Sequence, residues 1–324
     1  MKKEHKLRRR ILILGSVIAA LCGIYAAVVI KIFRETFLRK DPDPNEETDP
    51  KTEECYRRYH AQKRALLPKL NSLPVTELEI TASDGVTLRG RLYKVKDYNK
   101  KVVIAFHGFH ASGINDMARF VNMYEREGAD FLIISQRAHE YSDGKYITFG
   151  VKEHQDGILW VRKIIDLYGD DVQIIIHGLS MGGATVLMMA GSSTLPPSVK
   201  CCVADCPYDN FAHEADYVFS PIIKWDSLRS LLIRTMSLVT KWCDGFTIAE
   251  ASPIESVTHP MVPILFIHGT ADKYVPCYMG QKLYDTCAGE KEQLLVEGAA
   301  HVCSYTDAPE LYEEKFHDFC GKYI

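Results

Sequence analysis

The chain has 324 residues, of which 47% are hydrophobic and 25% charged, a globular balance compatible with two domains or one large α/β domain. A formal net charge of −3, with no basic stripe in the body of the chain, leaves no electrostatic footprint for a nucleic-acid partner.

The N-terminus departs from that average. MKKEHKLRRR carries six Lys or Arg residues, and residues 11–30, ILILGSVIAALCGIYAAVVI, carry no charge. Twenty helical residues at about 1.5 Å each cover the roughly 30 Å hydrocarbon core of a bilayer. A cleaved signal peptide has a shorter apolar region closed by a small-x-small site, whereas this run continues to Lys31. The expectation is an uncleaved, single-pass signal anchor in the cell membrane, with residues 1–10 a cytoplasmic basic tail and the body extracellular. Lys31, Arg34, Arg39 and Lys40 follow the span and make the charge asymmetry modest. Residues 31–74 then read as tether and short helix: Asp41–Glu54 is acidic and proline-broken, and CYRRYHAQKRALLPKL is an amphipathic helix ending near Pro68.

From residue 75 to 324 strands and helices alternate. ELEITAS and VTLRGRLYKV flank Asp84-Gly85 as a hairpin. KVVIAFHG is a strand, NDMARFVNMYEREG a helix closed by Gly128, ADFLIIS a strand and VKEHQDGILWVRKIIDLYG a long helix. VQIIIHG, VKCCVADC, VPILFIHG and EQLLVEG are further strands; MGGATVLMMAG, YVPCYMGQKLYDTCAG and PELYEEKFHDFCGKY are helices. This rhythm implies right-handed βαβ units and a mostly parallel eight-stranded sheet with helices on both faces, the first hairpin forming an antiparallel edge. Residues 208–257 contain no clear strand but a helical, apolar stretch, SPIIKWDSLRSLLIRTMSLVTKWCDGF, expected to cap the ligand-binding edge of the sheet, with a crossover of ordinary packing helices as the alternative.

HGLSMGGA, from His177 to Ala184, places G-x-S-x-G between an apolar strand and a helix. By itself the pattern is common; in that context it is the nucleophile elbow, whose glycines let strand and helix approach around a tight turn bearing Ser180. A serine hydroxyl needs a base to take its proton, and that base needs a carboxylate to orient it. His301 follows the last strand and Asp272 the one before it, giving the chain order Ser, Asp, His expected of this fold. Asp205, ending VKCCVAD, is the rival acid. His177 and His268 precede glycine at strand ends and read as structural; His107 orients the loop after AFHG. The oxyanion donors are expected to be the backbone amides of Met181 and Phe109, with His110 as the alternative to Phe109.

Of ten cysteines, nine lie outside the span, an odd number that argues against a fully paired disulfide set. Cys201, Cys202 and Cys206 read as structural, because adjacent residues on a strand face opposite ways and no second Cys/His pair follows at zinc spacing.

HGF at 107–109, GLSMG at 178–182, HGTADKYVP at 268–276 and GAAH at 298–301 together resemble the α/β-hydrolase superfamily over residues 75–324. QRAHEYSDGKYITFGVKEHQDGILWV and ASPIESVTHPMVPILFIHG are similar to bacterial membrane-anchored hydrolases of the dipeptidyl-aminopeptidase- or acylaminoacyl-peptidase-like type, with Bem46-type proteins more distant. The resemblance implies serine-hydrolase chemistry with no metal or organic cofactor. Relatives read D-x-R-G-H-G-x-S where this chain has SQRAHEYS, so Ser135 replaces an acid and Glu140 a glycine beside the triad.

The reading is a membrane-tethered serine hydrolase that cleaves an ester, thioester or amide through an acyl-enzyme, a carboxylesterase first. A peptidase or an acyltransferase would use the same triad, and a non-enzymatic scaffold is the alternative from another class. The expected partners are a small-molecule or lipid-like acyl substrate, or a peptide, and a membrane reached through residues 11–30.

Overall fold

The computed structural model describes residues 2–40 and 54–324; most of the acidic stretch read as the tether lies outside the described residues. Helix α1 (Lys2–Phe37) and α2 (Glu54–Ser72) precede strands β1 (Val75–Thr81), β2 (Thr87–Tyr93) and β3 (Lys101–Phe106). Then come α3 (Gly113–Met117), α4 (Val121–Arg126), β4 (Ala129–Ser135), α5 (Glu153–Tyr168), β5 (Gln173–Leu179), α6 (Met181–Ala190) and β6 (Val199–Asp205). The chain continues through α7 (Phe211–Phe219), α8 (Asp226–Asp244), α9 (Pro253–Ser256), β7 (Ile264–Gly269), α10 (Cys277–Thr286), β8 (Lys291–Val296), α11 (Ser304–Asp307) and α12 (Pro309–Cys320).

The eight strands form one sheet in the order β1-β2-β4-β3-β5-β6-β7-β8. β2 is antiparallel to both β1 and β4, and the remaining pairs are parallel. β4 is buried along its whole length, as an apolar strand with helices on both faces must be. Alternate side chains feed two cores: Cys201 packs with Val203 and Phe316 on one face, Cys202 with Ile176 and Val186 on the other. The neighbouring cysteines therefore point opposite ways, as the strand pattern requires.

Three local expectations are corrected. α2 runs four residues past Pro68, because Leu70 beyond it is fully buried in the first core, and that packing outweighs one missing backbone donor. The single helix expected over residues 115–128 begins earlier, at Gly113 behind the capping hydroxyl of Ser112, and breaks into α3, a short 3-10 turn and α4. The break falls at Arg119, fully buried, whose guanidinium donates back to the Asp116 carbonyl at 3.1 Å and across to the Val302 carbonyl at 2.7 Å. α1 outruns the charge-free run at both ends; at about 1.5 Å per residue its 36 residues exceed a bilayer's roughly 30 Å hydrocarbon core.

The surplus length is used. Phe37, 1% exposed, stands edge-on to Phe149 and Phe211, and its carbonyl accepts from the Ile147 amide. Leu38 bridges Tyr146 in antiparallel fashion. These contacts join a third apolar cluster that unites the end of α1, the inserted helices α7 and α8, and Met181 and Ala184 of α6.

Candidate active site

The loops that follow β3, β5, β6, β7 and β8 all leave the carboxyl edge of the parallel sheet, where helix N-termini and strand ends open a crevice. Ser180 sits between β5 and α6 with φ 56° and ψ −117°, a conformation that costs a non-glycine residue on the order of 1–3 kcal/mol. The flanking glycines make it attainable. A Cβ on Gly178 would lie 2.1 Å from the Gly182 carbonyl oxygen, and one on Gly182 would lie 2.1 Å from that of Phe106. The Ser180 amide donates to the Asp205 carbonyl at 2.8 Å, pinning the turn to the neighbouring strand.

The structure brings Ser180, His301 and Asp272 together. Ser180 Oγ lies 2.9 Å from His301 Nε2, and His301 Nδ1 lies 2.6 Å from Asp272 Oδ2. Asp272 Oδ1 accepts from the amides of Tyr274 and Val275 at 2.8 and 2.9 Å. Burial would raise the Asp272 pKa, but His301 and His268 hold the carboxyl well below the usual range. All three residues are more than nine-tenths buried. The loops carrying the acid and the histidine are joined directly, the Ala271 amide donating to the Ala299 carbonyl at 3.0 Å.

Asp205, the rival acid, does not meet His301. Its Oδ1 accepts from the Ser304 hydroxyl at 3.2 Å, its Oδ2 finds no partner, and burial pushes its pKa up to about 6. His177 is fixed between the hydroxyls of Tyr124 and Tyr312, a structural role. His268 is closer to the chemistry than its sequence position suggests: Nε2 donates to the Val275 carbonyl at 2.9 Å and lies 3.4 Å from Asp272 Oδ2.

The loop after β3 is held by His107, as expected, together with side chains to which the sequence assigned no role. His107 Nε2 accepts from the Gln136 amide at 3.0 Å, so Nδ1 carries the proton and donates to the Gly108 carbonyl at 2.8 Å. The Gly108 amide donates to Asp116 Oδ2 at 2.7 Å, and the Tyr59 hydroxyl of α2 holds the other Asp116 oxygen. The His110 amide is taken by His139 Nε2 at 3.2 Å, which removes the alternative donor. Among the described residues no backbone acceptor faces the amides of Phe109 or Met181, and Met181, as the first residue of α6, has no intrahelical partner. Tyr274 stacks on the His301 ring with centroids 5.3 Å apart. Tyr59 and Asp116 lie outside every motif, whereas Gln136 and Tyr274 stand inside motif stretches with no role assigned to them, because only the fold reveals what they touch.

Ser135 and Glu140 meet in the fold. Glu140, at φ 39°, turns its carboxylate inward so that Oε2 accepts from the Ser135 hydroxyl at 2.9 Å and from the Gly113 amide at 2.7 Å. The carboxylate beside Ser135 therefore comes from position 140, where the backbone is left-handed.

Cys206, Asp272 and His301 offer three donor atoms within 4.8 Å of one another. Two of the three, Asp272 and His301, face each other across a hydrogen bond, and burial holds the Cys206 thiol well above its ordinary pKa.

The pocket beside Ser180 is walled by α1, α7 and α8 and contains one acidic side chain, Glu214 of α7. It is 8% exposed, Oε2 has no partner, and burial pushes its pKa up to about 8. An acid whose folded pKa lies above its unfolded value loses stability as pH rises between the two, because the unfolded chain releases the proton first. Glu214→Gln is therefore expected to become steadily more stable relative to the parent from pH 5 to pH 8, measured by denaturant midpoints; a constant difference would contradict the buried neutral acid.

A model described as alpha/beta hydrolase fold matches residues 101–230. The uncharacterized protein YqkD of Bacillus subtilis is 27% identical over 248 residues, 75% of this chain and 78% of that protein. The Arabidopsis thaliana alpha/beta hydrolase domain-containing protein WAV2 is 22% identical, covering 80% of this chain and 82% of its own length. Among solved structures, Pyrococcus furiosus esterase Pf2001 superposes with a TM-score of 0.64 at 23% identity, over 79% of this chain and 94% of that one. Pyrococcus horikoshii acylaminoacyl peptidase gives a TM-score of 0.54 at 16% identity over 79% of this chain and 43% of its own.

Proposed function

From a chain that belongs to the α/β-hydrolase superfamily, we propose a membrane-tethered serine hydrolase acting on carboxylic esters, with Ser180 as nucleophile, His301 as base and Asp272 as its orienting acid. The observation that carries this is the relay of 2.9 and 2.6 Å from hydroxyl to imidazole to carboxylate. The similarity in fold to the Pyrococcus furiosus esterase supports ester over amide as the first substrate class.

In this reading Ser180 Oγ bonds to the acyl carbon as its proton passes to His301 Nε2. The amides of Phe109 and Met181 hold the carbonyl oxygen as it becomes negative, each donor worth on the order of 3 kcal/mol. The bond from carbon to the leaving oxygen then breaks, and His301 gives that oxygen its proton. Water, deprotonated by the same imidazole, releases the carboxylic acid and restores the serine. α1 supports the tether, since the only candidate span among the described residues is apolar, long and almost wholly exposed. Residues 1–10 would lie in the cytoplasm and residues 75–324 outside it.

Mixing the full chain in detergent with an excess of p-nitrophenyl butyrate should give a burst of about one p-nitrophenolate per chain before the steady rate, the signature of an accumulating acyl-enzyme. Linear release from time zero, with the acid and the alcohol appearing together at every substrate concentration, would speak for direct attack of water.

A further inference from the structure

Two clefts open on either side of Ser180, and they differ in character. One is apolar: Ile32, Thr36 and Phe37 of α1 face Phe211 and Phe219 of α7 and Met236 of α8 across it. The other is the more polar of the two, with Lys40, His110, Asn115 and His301 in its wall beside Phe109 and Val302. His301 borders only the polar cleft, and the group that takes the proton from His301 is the leaving oxygen. The alcohol half of an ester therefore belongs in the polar cleft and the acyl half in the apolar one.

The apolar cleft is walled by the helix that leads out of the membrane span. Ile32 lies two residues past the charge-free run 11–30, so the cleft begins about 3 Å along the axis from its end. The inserted helix α8 lies still closer: the hydroxyls of Thr235, mid-helix, and Tyr25, inside the charge-free run, share a hydrogen bond of 2.7 Å. Any bilayer that holds residues 11–30 must then meet α8. The outer face of α8 suits that contact. Leu231, Leu238 and Trp242 fall on one stripe, Leu238 72% and Trp242 89% exposed, with Arg234 between them. Ile222 and Trp225, in the turn before α8, are 79% and 74% exposed, and exposed tryptophans at such a position are what a membrane interface favours.

We infer that the last turns of α1 form one wall of the acyl pocket, that α8 rests in the membrane interface, and that the substrate is an amphiphilic ester, one long hydrocarbon chain on a polar alcohol, drawn in from the bilayer. The inference deepens the serine-esterase reading and rests on it. Thr36 and Ile32 are half-buried in the cleft and set how much chain it admits.

The test uses the full chain in phosphatidylcholine vesicles and compares kcat/KM for dodecanoyl and acetyl esters of one alcohol. The parent should favour the dodecanoyl ester, and Thr36→Trp and, independently, Ile32→Trp should each cut the dodecanoyl-to-acetyl ratio by about tenfold or more. A parent without preference for the longer chain, or a ratio unchanged in both variants, would overturn the pocket assignment. Labelling of the parent by a small fluorophosphonate keeps the two readings apart. A labelled parent with a flat chain-length profile defeats only this inference, whereas an unlabelled parent defeats the serine mechanism on which it rests. Brominated phosphatidylcholine should quench Trp225 and Trp242 but not Trp160, which is 1% exposed in the body; fluorescence unaffected by bromination would overturn the bilayer contact.

Discussion

Ser180→Ala is expected to lower kcat for an ester by about 10⁶-fold, with KM little changed, because it removes an interaction made only as the bond forms. The variant keeps the elbow glycines, the Asp205 tie and the oxyanion amides, so residual catalysis of about 10³-fold over water should survive. Removing His301 as well should cost almost nothing more, since a base without its nucleophile has no proton to take. Measured kcat values for the two single variants and the double variant decide this. A double variant far slower than Ser180→Ala alone would mean that His301 activates something other than this hydroxyl.

Asp272→Asn should cost about 10⁴-fold in kcat for a reason that lies in the loop geometry. Two amides, those of Tyr274 and Val275, donate to Oδ1, so an asparagine must place its carbonyl oxygen there. Its NH2 then faces His301 Nδ1, where Oδ2 now sits at 2.6 Å. A donor in that position forces the imidazole proton onto Nε2, and an imidazole protonated at Nε2 donates to Ser180 instead of accepting from it. Steady-state kinetics with Asp272→Asn and Asp272→Ala distinguish the tautomer effect from simple loss of charge. Alanine leaves the imidazole free to choose its tautomer and should be no slower than asparagine; a much slower alanine variant would contradict the argument.

The sheet and the meeting of Ser180, Asp272 and His301 were legible in the sequence for one reason. Parallel strands buried on both faces leave near-continuous apolar runs, and each run ends where its loop begins, so chain order alone assigns residues to the sheet edge. What was not legible depends on contacts between segments far apart in the chain. Pro68 inside α2 is tolerated because Leu70 beyond it is buried, and the split between α3 and α4 follows from Arg119 reaching the His301 loop. Tyr59 reaching Asp116 across 57 positions has no local pattern. The exchange between Ser135 and Glu140 looked like the loss of an acid, since only the fold reveals that position 140 points back at 135. Likewise α1 read as a span that stopped at residue 30, whereas Phe37 at its far end is a core residue of the body.

The most direct measurement is fluorophosphonate labelling of the full chain followed by mass spectrometry of the adduct. A single adduct is expected, on the peptide containing Ser180 and absent from Ser180→Ala. A folded chain that takes no label, or an adduct on another residue such as the neighbouring Ser304 or Cys206, would contradict it.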